Sequence, residues 1–343
     1  MDSGLSISRS RRTQECDKLN VAKILILDKE MHCLVLGGRG FLGSHLVEAL
    51  LAEGNRVSVF KRPHSPRLLD IANYQQVRWF EGDFVNREDV ARAVQGAEIV
   101  YHLISTTIPQ SSNQNPIYDI ESNLVSTLNL LEIAKEARVK KIIFISSGGT
   151  VYGTPQTLPI HESHRTDPTC AYGIAKLAAE KYLSLYHHLY GLSYCILRVA
   201  NPYGERQMAN SAQGVVAVFL GKVLRNEPIE IWGDGSVVRD YIYVGDVIEA
   251  LIKAKSYEGE CRLFNIGGGH GLSLNELVDA IENMLGRTVQ KKYLPSRLFD
   301  VPVNVLDISA AATFLDWTPR TPFQAGLCRT WAWLQREGMT TAR

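Results

Sequence analysis

Short apolar runs alternate with amphipathic stretches along the first half of the chain. Five runs have the length and composition of buried strands: residues 32–36, 56–60, 77–80, 98–103 and 141–146. Helical patterns fill the intervals, and after the first run Leu42, Leu46 and Leu50 fall on one helix face. Strands that alternate with helices form parallel sheets, because each crossover needs a helix-length connection. The pattern therefore predicts an α/β fold with a doubly wound parallel sheet.

The charges of the chain nearly cancel, with 37 Lys and Arg against 36 Asp and Glu among 343 residues. This balance lacks the basic excess of nucleic-acid and anionic-membrane binders. No apolar run approaches the ~20 residues that cross a bilayer. We therefore expect neither nucleic acid nor membrane as a partner.

Cysteine usage points to reduced thiols and a cytoplasmic location. The six cysteines, at positions 16, 33, 170, 195, 261 and 328, form no CxxC pair. The segment His161-Glu162-Ser163-His164 is one residue short of the HExxH zinc spacing, so no metal site is expected. Residues 1–30 are Arg-rich but lack the apolar core of a signal peptide, and we expect a disordered leader or an upstream translation start.

A glycine cluster separates the first predicted strand from the first helix. Gly37, Gly40 and Gly43 occupy the positions that a dinucleotide site needs for a tight turn, for the approach of a pyrophosphate and for close helix packing. The helix start at Phe41 and Leu42 would then face the phosphates. The strand, turn and helix order favours a dinucleotide site over an ordinary glycine turn.

The residues after the second strand bear on the choice of cofactor. Phe60-Lys61-Arg62 stands where an NAD site usually places an acid for the ribose hydroxyls, and Arg39 adds another cation. Cations near the adenosine ribose favour a 2′-phosphate, so we expect NAD(P) with a preference for NADP(H). If Lys61 and Arg62 are solvated loop charges, NAD is the alternative.

A tyrosine and a lysine four residues apart suggest proton transfer. Tyr172 and Lys176 share one helix face. A phenol titrates near pH 10 and becomes a useful base near neutrality only if a cation stabilises its phenolate. Lys176 would supply that charge, while a hydroxyl at the end of the fifth strand orients the substrate oxygen. An amphipathic helix with an exposed Tyr and Lys is the bland alternative, but the preceding glycine turn favours catalysis.

Residues 31–336 resemble the extended short-chain dehydrogenase/reductase family, and within it nucleotide-sugar epimerases of the UDP-glucose 4-epimerase type. The motifs that carry the resemblance occur in the family's order: GGRGFLGSHL, Gly82-Asp83, Asn123, SSGGTVYG, YGIAK, LRVANPYG, WGDGSVVRDYIYVGD and RLFD. The resemblance implies a Rossmann-type domain, residues 31–198 plus about 236–263, and a smaller α/β carboxy-terminal substrate lobe, about 199–235 plus 264–343. It also implies a homodimer formed through residues 115–137 and 172–190.

The resemblance assigns roles by position. Asp83 would contact the adenine, and Tyr172 and Lys176 would be the catalytic pair. The remaining matches would bind a nucleotide-diphosphate sugar, with Asp300 on the ribose and three residues on the diphosphate: Asn201, Arg239 and Arg297. Guanidinium groups suit a diphosphate because they form charge-assisted hydrogen bonds.

Three positions depart from the family's pattern. Gly148 replaces the catalytic Ser or Thr, so the hydroxyl must come from Ser147 or Thr150. The pair Gly148-Gly149 lacks the Asp-Glu of nucleotide-sugar dehydratases, which argues against dehydration. Asn304 stands where the family can carry a bulky tyrosine that limits sugar size, so N-acetylated sugars would be admitted.

The leading hypothesis is a 4-epimerase of a UDP-hexose or UDP-N-acetylhexosamine, working through a 4-keto intermediate. An NADPH-dependent reductase of a nucleotide 4-keto-6-deoxy sugar is the alternative, favoured by Arg39 and Lys61 because a consumed reductant must exchange. A non-catalytic dinucleotide-binding relative is a third reading, and the intact Tyr172 and Lys176 argue against it.

Overall fold

The computed structural model describes residues 30–63, 74–210, 213–296 and 301–341, with side chains up to residue 337. Residues 32–343 cluster as one unit. All but the last residue of the predicted leader 1–30 lies outside the described residues. Within the described ranges, no helix combines the length and the apolar character needed to span a bilayer.

Strands and helices alternate through the first part of the chain. In order they are β1 (His32–Leu36), α1 (Phe41–Ala52), β2 (Arg56–Lys61), β3 (Arg78–Glu81), α2 (Arg87–Val94), β4 (Ile99–His102), α3 (Pro109–Gln114), α4 (Pro116–Asp119), α5 (Ser126–Glu136), β5 (Lys141–Ser147), α6 (Ala171–Tyr190) and β6 (Ser193–Val199). A 3-10 turn, Tyr74–Gln76, precedes β3, and a π-helical turn, Ile120–Val125, joins α4 to α5.

The second part of the chain has shorter strands. Its elements are β7 (Asn201–Tyr203), α7 (Val215–Leu224), β8 (Ile229–Trp232), β9 (Val238–Tyr243), α8 (Val244–Ser256), β10 (Leu263–Ile266), β11 (Gly271–Ser273), α9 (Leu274–Leu285), β12 (Lys291–Leu294), β13 (Val303–Asn304), α10 (Ser309–Phe314) and α11 (Phe323–Thr341).

Seven strands form one parallel sheet in the order β10-β6-β5-β4-β1-β2-β3. The five strands predicted from apolar runs are all present, with ends that differ from the predicted ones by one residue at most. Four of them, β1, β2, β4 and β5, form strands because their apolar side chains are buried between helices on both faces, whereas β3 at the sheet edge is only partly buried. The doubly wound parallel sheet is confirmed. Its order reverses between β1 and β4, and a ligand of such a sheet binds at the carboxyl ends beside that reversal.

Two small sheets lie outside the large one. Strand β9 pairs with β7 and β13 in parallel and with β11 antiparallel, while β8 pairs with β12. The division into a dinucleotide domain and a substrate lobe stays a prediction. Strand β10 belongs to the large sheet and crosses the boundary that we placed between residues 263 and 264.

Candidate active site

The glycine turn between β1 and α1 is built for close backbone approach. Gly37 adopts φ +85°, which an L side chain rarely tolerates. A Cβ on Gly43 would lie 2.2 Å from the Gly37 carbonyl oxygen, so only glycine lets the helix sit this close to the turn. The Gly40 amide donates to that same oxygen over 2.9 Å. These contacts give two of the three glycines the roles expected of a dinucleotide turn.

The amino terminus of α1 is open to an anion. Gly40 is the N-cap, and no side chain caps the first amides, at Phe41 and Leu42. Arg39 lies next to it, and its Nη2 is buried without a hydrogen-bond partner among the described residues. A narrow glycine turn, uncapped amides and an unsatisfied guanidinium nitrogen fit a dinucleotide phosphate.

The residues beyond β2 do not support the preference for NADP(H). Lys61 forms an ion pair with Glu81 on the neighbouring strand β3, so its charge is already balanced. Arg62 is exposed. Asp83, just after β3, is also exposed, and its Oδ1 accepts a hydrogen bond from the Val85 amide over 3.1 Å.

Helix α6 presents Tyr172 and Lys176 together, as their spacing predicts. Lys176 is buried, and its Nζ donates to the Ile145 carbonyl over 2.9 Å and lies 5.8 Å from the centroid of the Tyr172 ring. Burial lowers the pKa of Lys176 to about 8. Burial raises the pKa of Tyr172 to about 12, and a hydrogen bond with Ser105 partly opposes that rise. The pair therefore consists of a half-buried tyrosine and a buried lysine whose pKa is lowered.

Position 148 has no room for the family's hydroxyl side chain. A Cβ on Gly148 would lie 2.5 Å from Leu306 Cδ1 and 3.1 Å from the Arg198 carbonyl oxygen. Of the two candidate hydroxyls, Ser147 ends β5 and is half-buried. Thr150 Oγ1 is buried and has no partner among the described residues.

Three residues predicted to bind substrate come from the small sheet around β9. Asn304 pairs with Arg239 in the β13 and β9 register, and Asn201 lies on β7. Asn304 is buried, donates from Nδ2 to the Gly148 carbonyl over 3.1 Å and leaves its Oδ1 without a described partner. Asn201 Nδ2 donates to the Asp240 carbonyl over 2.9 Å, and Arg239 Nη1 donates to the Val301 carbonyl over 2.6 Å.

The structure brings Asn304 to the Gly148 loop beside the end of β5, but two of the predicted substrate residues cannot be placed. Arg297 and Asp300 lie outside the described residues, so their roles stay predictions.

A polar network lies next to Tyr172 and Lys176, and no role for it was predicted from the sequence. Asp119 is fully buried, and its Oδ1 accepts from Thr107 and, over 3.0 Å, from Asn123 Nδ2. His102 Nε2 lies 2.9 Å from Thr127 Oγ1. The available sequence signal was the spacing of Asp119 and Asn123, which are four residues apart.

Among the remaining reactive side chains, Cys170 directly precedes helix α6 and lies two residues from Tyr172. Within the described ranges, no group of three or more His, Cys, Asp or Glu side chains could hold a metal ion. His164 accepts from the Gln156 amide over 3.0 Å in a loop. The five described cysteines are free thiols, and Cys16 lies outside the described residues.

A family model described as the NAD dependent epimerase/dehydratase family matches residues 33–267. A putative UDP-glucose 4-epimerase of Methanocaldococcus jannaschii is 36% identical over 90% of this chain and 99% of its own length. A dTDP-4-dehydro-6-deoxyglucose reductase of Escherichia coli is 32% identical over 86% of this chain and 94% of its own length.

Solved structures agree with this match. The Thermotoga maritima UDP-glucose 4-epimerase with UDP-glucose has a TM-score of 0.85 and 35% identity, covering 90% of this chain and 99% of its own. The Methanobrevibacter ruminantium UDP-N-acetylglucosamine 4-epimerase, in complex with UDP-N-acetylmuramic acid, has a TM-score of 0.84 and 30% identity over 90% and 99%. The Thermus thermophilus UDP-glucose 4-epimerase complex with NAD has a TM-score of 0.79 and 34% identity over 89% and 99%.

Proposed function

The chain belongs to the NAD dependent epimerase/dehydratase family, and on this premise we propose that it is a 4-epimerase of a UDP-linked hexose or N-acetylhexosamine. The observation that carries the proposal is the buried Lys176 beside Tyr172, at the carboxyl edge of a sheet that also bears the dinucleotide turn. Residues 148–150 contain no acid that could drive an elimination, which favours epimerisation over dehydration.

The residues of the site divide the chemistry among them. When bound at the turn of Gly37, Gly40 and Gly43, the dinucleotide supplies a reversible hydride acceptor for the sugar C4. Tyr172 Oη takes the proton of the sugar 4-hydroxyl and later returns it. The Lys176 ammonium stabilises the phenolate that carries out this transfer, because unlike charges attract strongly in a buried site.

We assign the missing hydroxyl to Thr150 rather than Ser147. A buried hydroxyl without a partner carries a desolvation cost that a substrate oxygen would offset. Gly148 has no side chain to carry the group, and a Cβ there would crowd Leu306 Cδ1.

The substrate assignment rests on the small sheet. Arg239 and Asn201 supply donors for a diphosphate, and the relatives with known ligands bind UDP-sugars. Asn304 is much smaller than a tyrosine, and its side chain is fixed by the hydrogen bond from Nδ2 to the Gly148 carbonyl. This leaves space for a 2-acetamido group.

We propose NAD as the cofactor. The Lys61 ion pair with Glu81 removes one of the charges that would hold a 2′-phosphate, and a solved relative contains NAD. A retained cofactor suits an epimerase, because each turnover restores it.

The second candidate is an NADPH-dependent reductase of a nucleotide 4-keto-6-deoxy sugar. Arg39 favours it, because a buried Nη2 without a described partner could bind a 2′-phosphate, and one relative is such a reductase.

The first experiment is to denature the purified protein and identify the dinucleotide that it releases. Near-stoichiometric NAD⁺ supports the epimerase, whereas an empty site that binds NADPH favours the reductase. UDP-glucose and UDP-N-acetylglucosamine are then incubated with the enzyme, and the 4-epimers are quantified by proton NMR. Tyr172→Phe should keep the dinucleotide and lose turnover by at least about 10²-fold. Full activity in this variant would contradict the proposal.

A further inference from the structure

A small cavity adjoins the catalytic pair. Its volume of about 10 Å³ has room for a single water molecule. Apolar side chains form much of its wall, at Ile104, Phe144, Ala175 and Ala179. Its polar lining comes from strand β4, helix α4, the π-helical turn, helix α5 and helix α6: His102, Asp119, Asn123, Thr127, Tyr172 and Lys176. Two of these side chains have an atom that is buried without a described partner, His102 Nδ1 and Asp119 Oδ2. A water in the cavity would satisfy both atoms.

Asp119 is a buried carboxylate that contacts only neutral donors. Its Oδ1 accepts from the Thr107 hydroxyl and from Asn123 Nδ2. Among the described residues it forms no ion pair, because both of its hydrogen-bond donors are neutral groups. Burying an anion is costly unless a cation balances it nearby. The cation on the same cavity is Lys176.

The other carboxylate near Lys176 is already neutralised. Glu180 lies one helical turn further along α6 and accepts from Arg198 twice, over 2.9 Å at Oε1 and 2.6 Å at Oε2. His102, from β4, is neutral because burial lowers its pKa to about 3. Cys170, before α6, stays a thiol because burial raises its pKa. Asp119 is therefore the uncompensated anion that faces Lys176.

We propose that Asp119 is a positioning residue whose carboxylate, through one water in the cavity, holds the Lys176 ammonium charged and thereby sets the pH range in which Tyr172 works. The inference rests on the proposed function, in which Tyr172 exchanges a proton with the sugar. Asp119 touches neither sugar nor dinucleotide in this scheme and acts through Lys176.

The sign of the effect follows from the charge. Burial lowers the pKa of Lys176, and the charges of Glu180 and then of Asp119 raise it. A negative Asp119 also raises the pKa of Tyr172, after burial and Cys170. Removing the charge lowers both pKa values. The alkaline limb of the turnover profile, where Lys176 loses its proton, then moves to lower pH.

The test uses Asp119→Asn, which keeps the shape and removes the charge, in the enzyme as purified with its dinucleotide. The lysine ¹³Cε signals are titrated by NMR, with Lys176→Met to assign the signal of Lys176. We expect its midpoint to fall by about one pH unit. The control, Asp279→Asn at an exposed position on α9, should leave the midpoint unchanged.

An unchanged Lys176 midpoint in Asp119→Asn overturns the inference. If that variant does not fold, Asp119→Ser, which leaves more room for water, should give the same fall, and an unchanged midpoint there overturns it equally. The turnover profile against pH is the second readout, and it should move to lower pH by the same amount. If the Lys176 midpoint shifts while the pH profile of turnover stays unchanged, the proposed effect of Asp119 on Tyr172 is contradicted.

The titration needs no sugar, so it separates the two proposals. A shifted midpoint in a protein that epimerises no UDP-sugar supports the coupling of Asp119 to Lys176 and contradicts the proposed function. An active epimerase with an unshifted Lys176 midpoint supports the proposed function and contradicts the coupling of Asp119 to Lys176.

Discussion

At the scale of single residues, the proposal to test first is that Thr150, and not Ser147, supplies the catalytic hydroxyl. We expect Thr150→Val to lower kcat by about 10- to 100-fold, because the variant keeps the shape and loses the donor to the sugar oxygen. Ser147→Ala is the matched comparison and should retain most of the activity. Initial rates at saturating UDP-sugar would measure both, and a larger loss in Ser147→Ala would reverse the assignment.

Asn304 gives a prediction about sugar size. Asn304→Tyr should lower kcat/KM for UDP-N-acetylglucosamine by at least about 10-fold more than for UDP-glucose, because the ring fills space needed by the acetamido group. Competition between the two sugars in one NMR tube measures the ratio directly. Equal losses would place the acetamido group elsewhere.

Local spacing predicted some of these residues and could not predict others. Tyr172 and Lys176 are four apart on one helix, so their proximity follows from the sequence. Ser105 forms a hydrogen bond with Tyr172, and Asp119 lines a cavity next to the pair, only because β4, α4 and α6 fold together. The predicted preference for NADP(H) relied on a free positive charge at Lys61. The folded chain pairs that charge with Glu81 on the neighbouring strand, which the sequence alone did not reveal.

At the scale of elements, the loop after β5 is held by the segment around β13. Leu306 fills the space beside Gly148, and Asn304 donates to the Gly148 carbonyl. Gly148→Ala should therefore lower the free energy of unfolding by about 1–3 kcal/mol, since the added methyl group overlaps Leu306 and a carbonyl oxygen. Denaturant unfolding measures this loss.

A matched control for that substitution is Gly54→Ala, in the turn after α1. A Cβ there meets nothing within 4 Å, although its φ of +78° carries a backbone cost of its own. If the overlap is the cause, adding Leu306→Ala should reduce the stability loss of Gly148→Ala. Adding Leu306→Ala should not reduce the stability loss of Gly54→Ala. Additive losses at Gly148 and Leu306 would contradict it.

The elements themselves were predictable where burial is continuous. The runs that became β1, β2 and β5 are mostly apolar and largely buried, and a strand buried on both faces requires this pattern. The short strands β7, β11 and β13 have no such pattern, because each is specified by its pairing with β9 rather than by its own sequence.

At the scale of the whole molecule, we propose a homodimer built on α4, the π-helical turn and α6. Large apolar side chains there are exposed, with Ile117 at 64%, Ile174 at 57% and Leu189 at 55%. A second copy of the chain would cover them, as a patch of this kind favours association. Light scattering after gel filtration should give twice the mass of 38.3 kDa.

Ile174→Glu with Leu189→Glu should convert that dimer to monomer, because two charges per chain would be buried at the interface. The matched control is Val85→Glu, at another exposed apolar position. A dimer that survives the double substitution uses a different surface.

The contact between Gly148 and Leu306 also constrains how the sequence can change over evolutionary time. A lineage that acquired serine at position 148 while leucine remained at 306 would first pass through an overpacked, less stable protein. If a smaller residue at 306 came first, that change would leave an unfilled space until the serine arrived. A hydroxyl from Thr150, as we propose, needs neither intermediate, so glycine at 148 and leucine at 306 favour keeping each other.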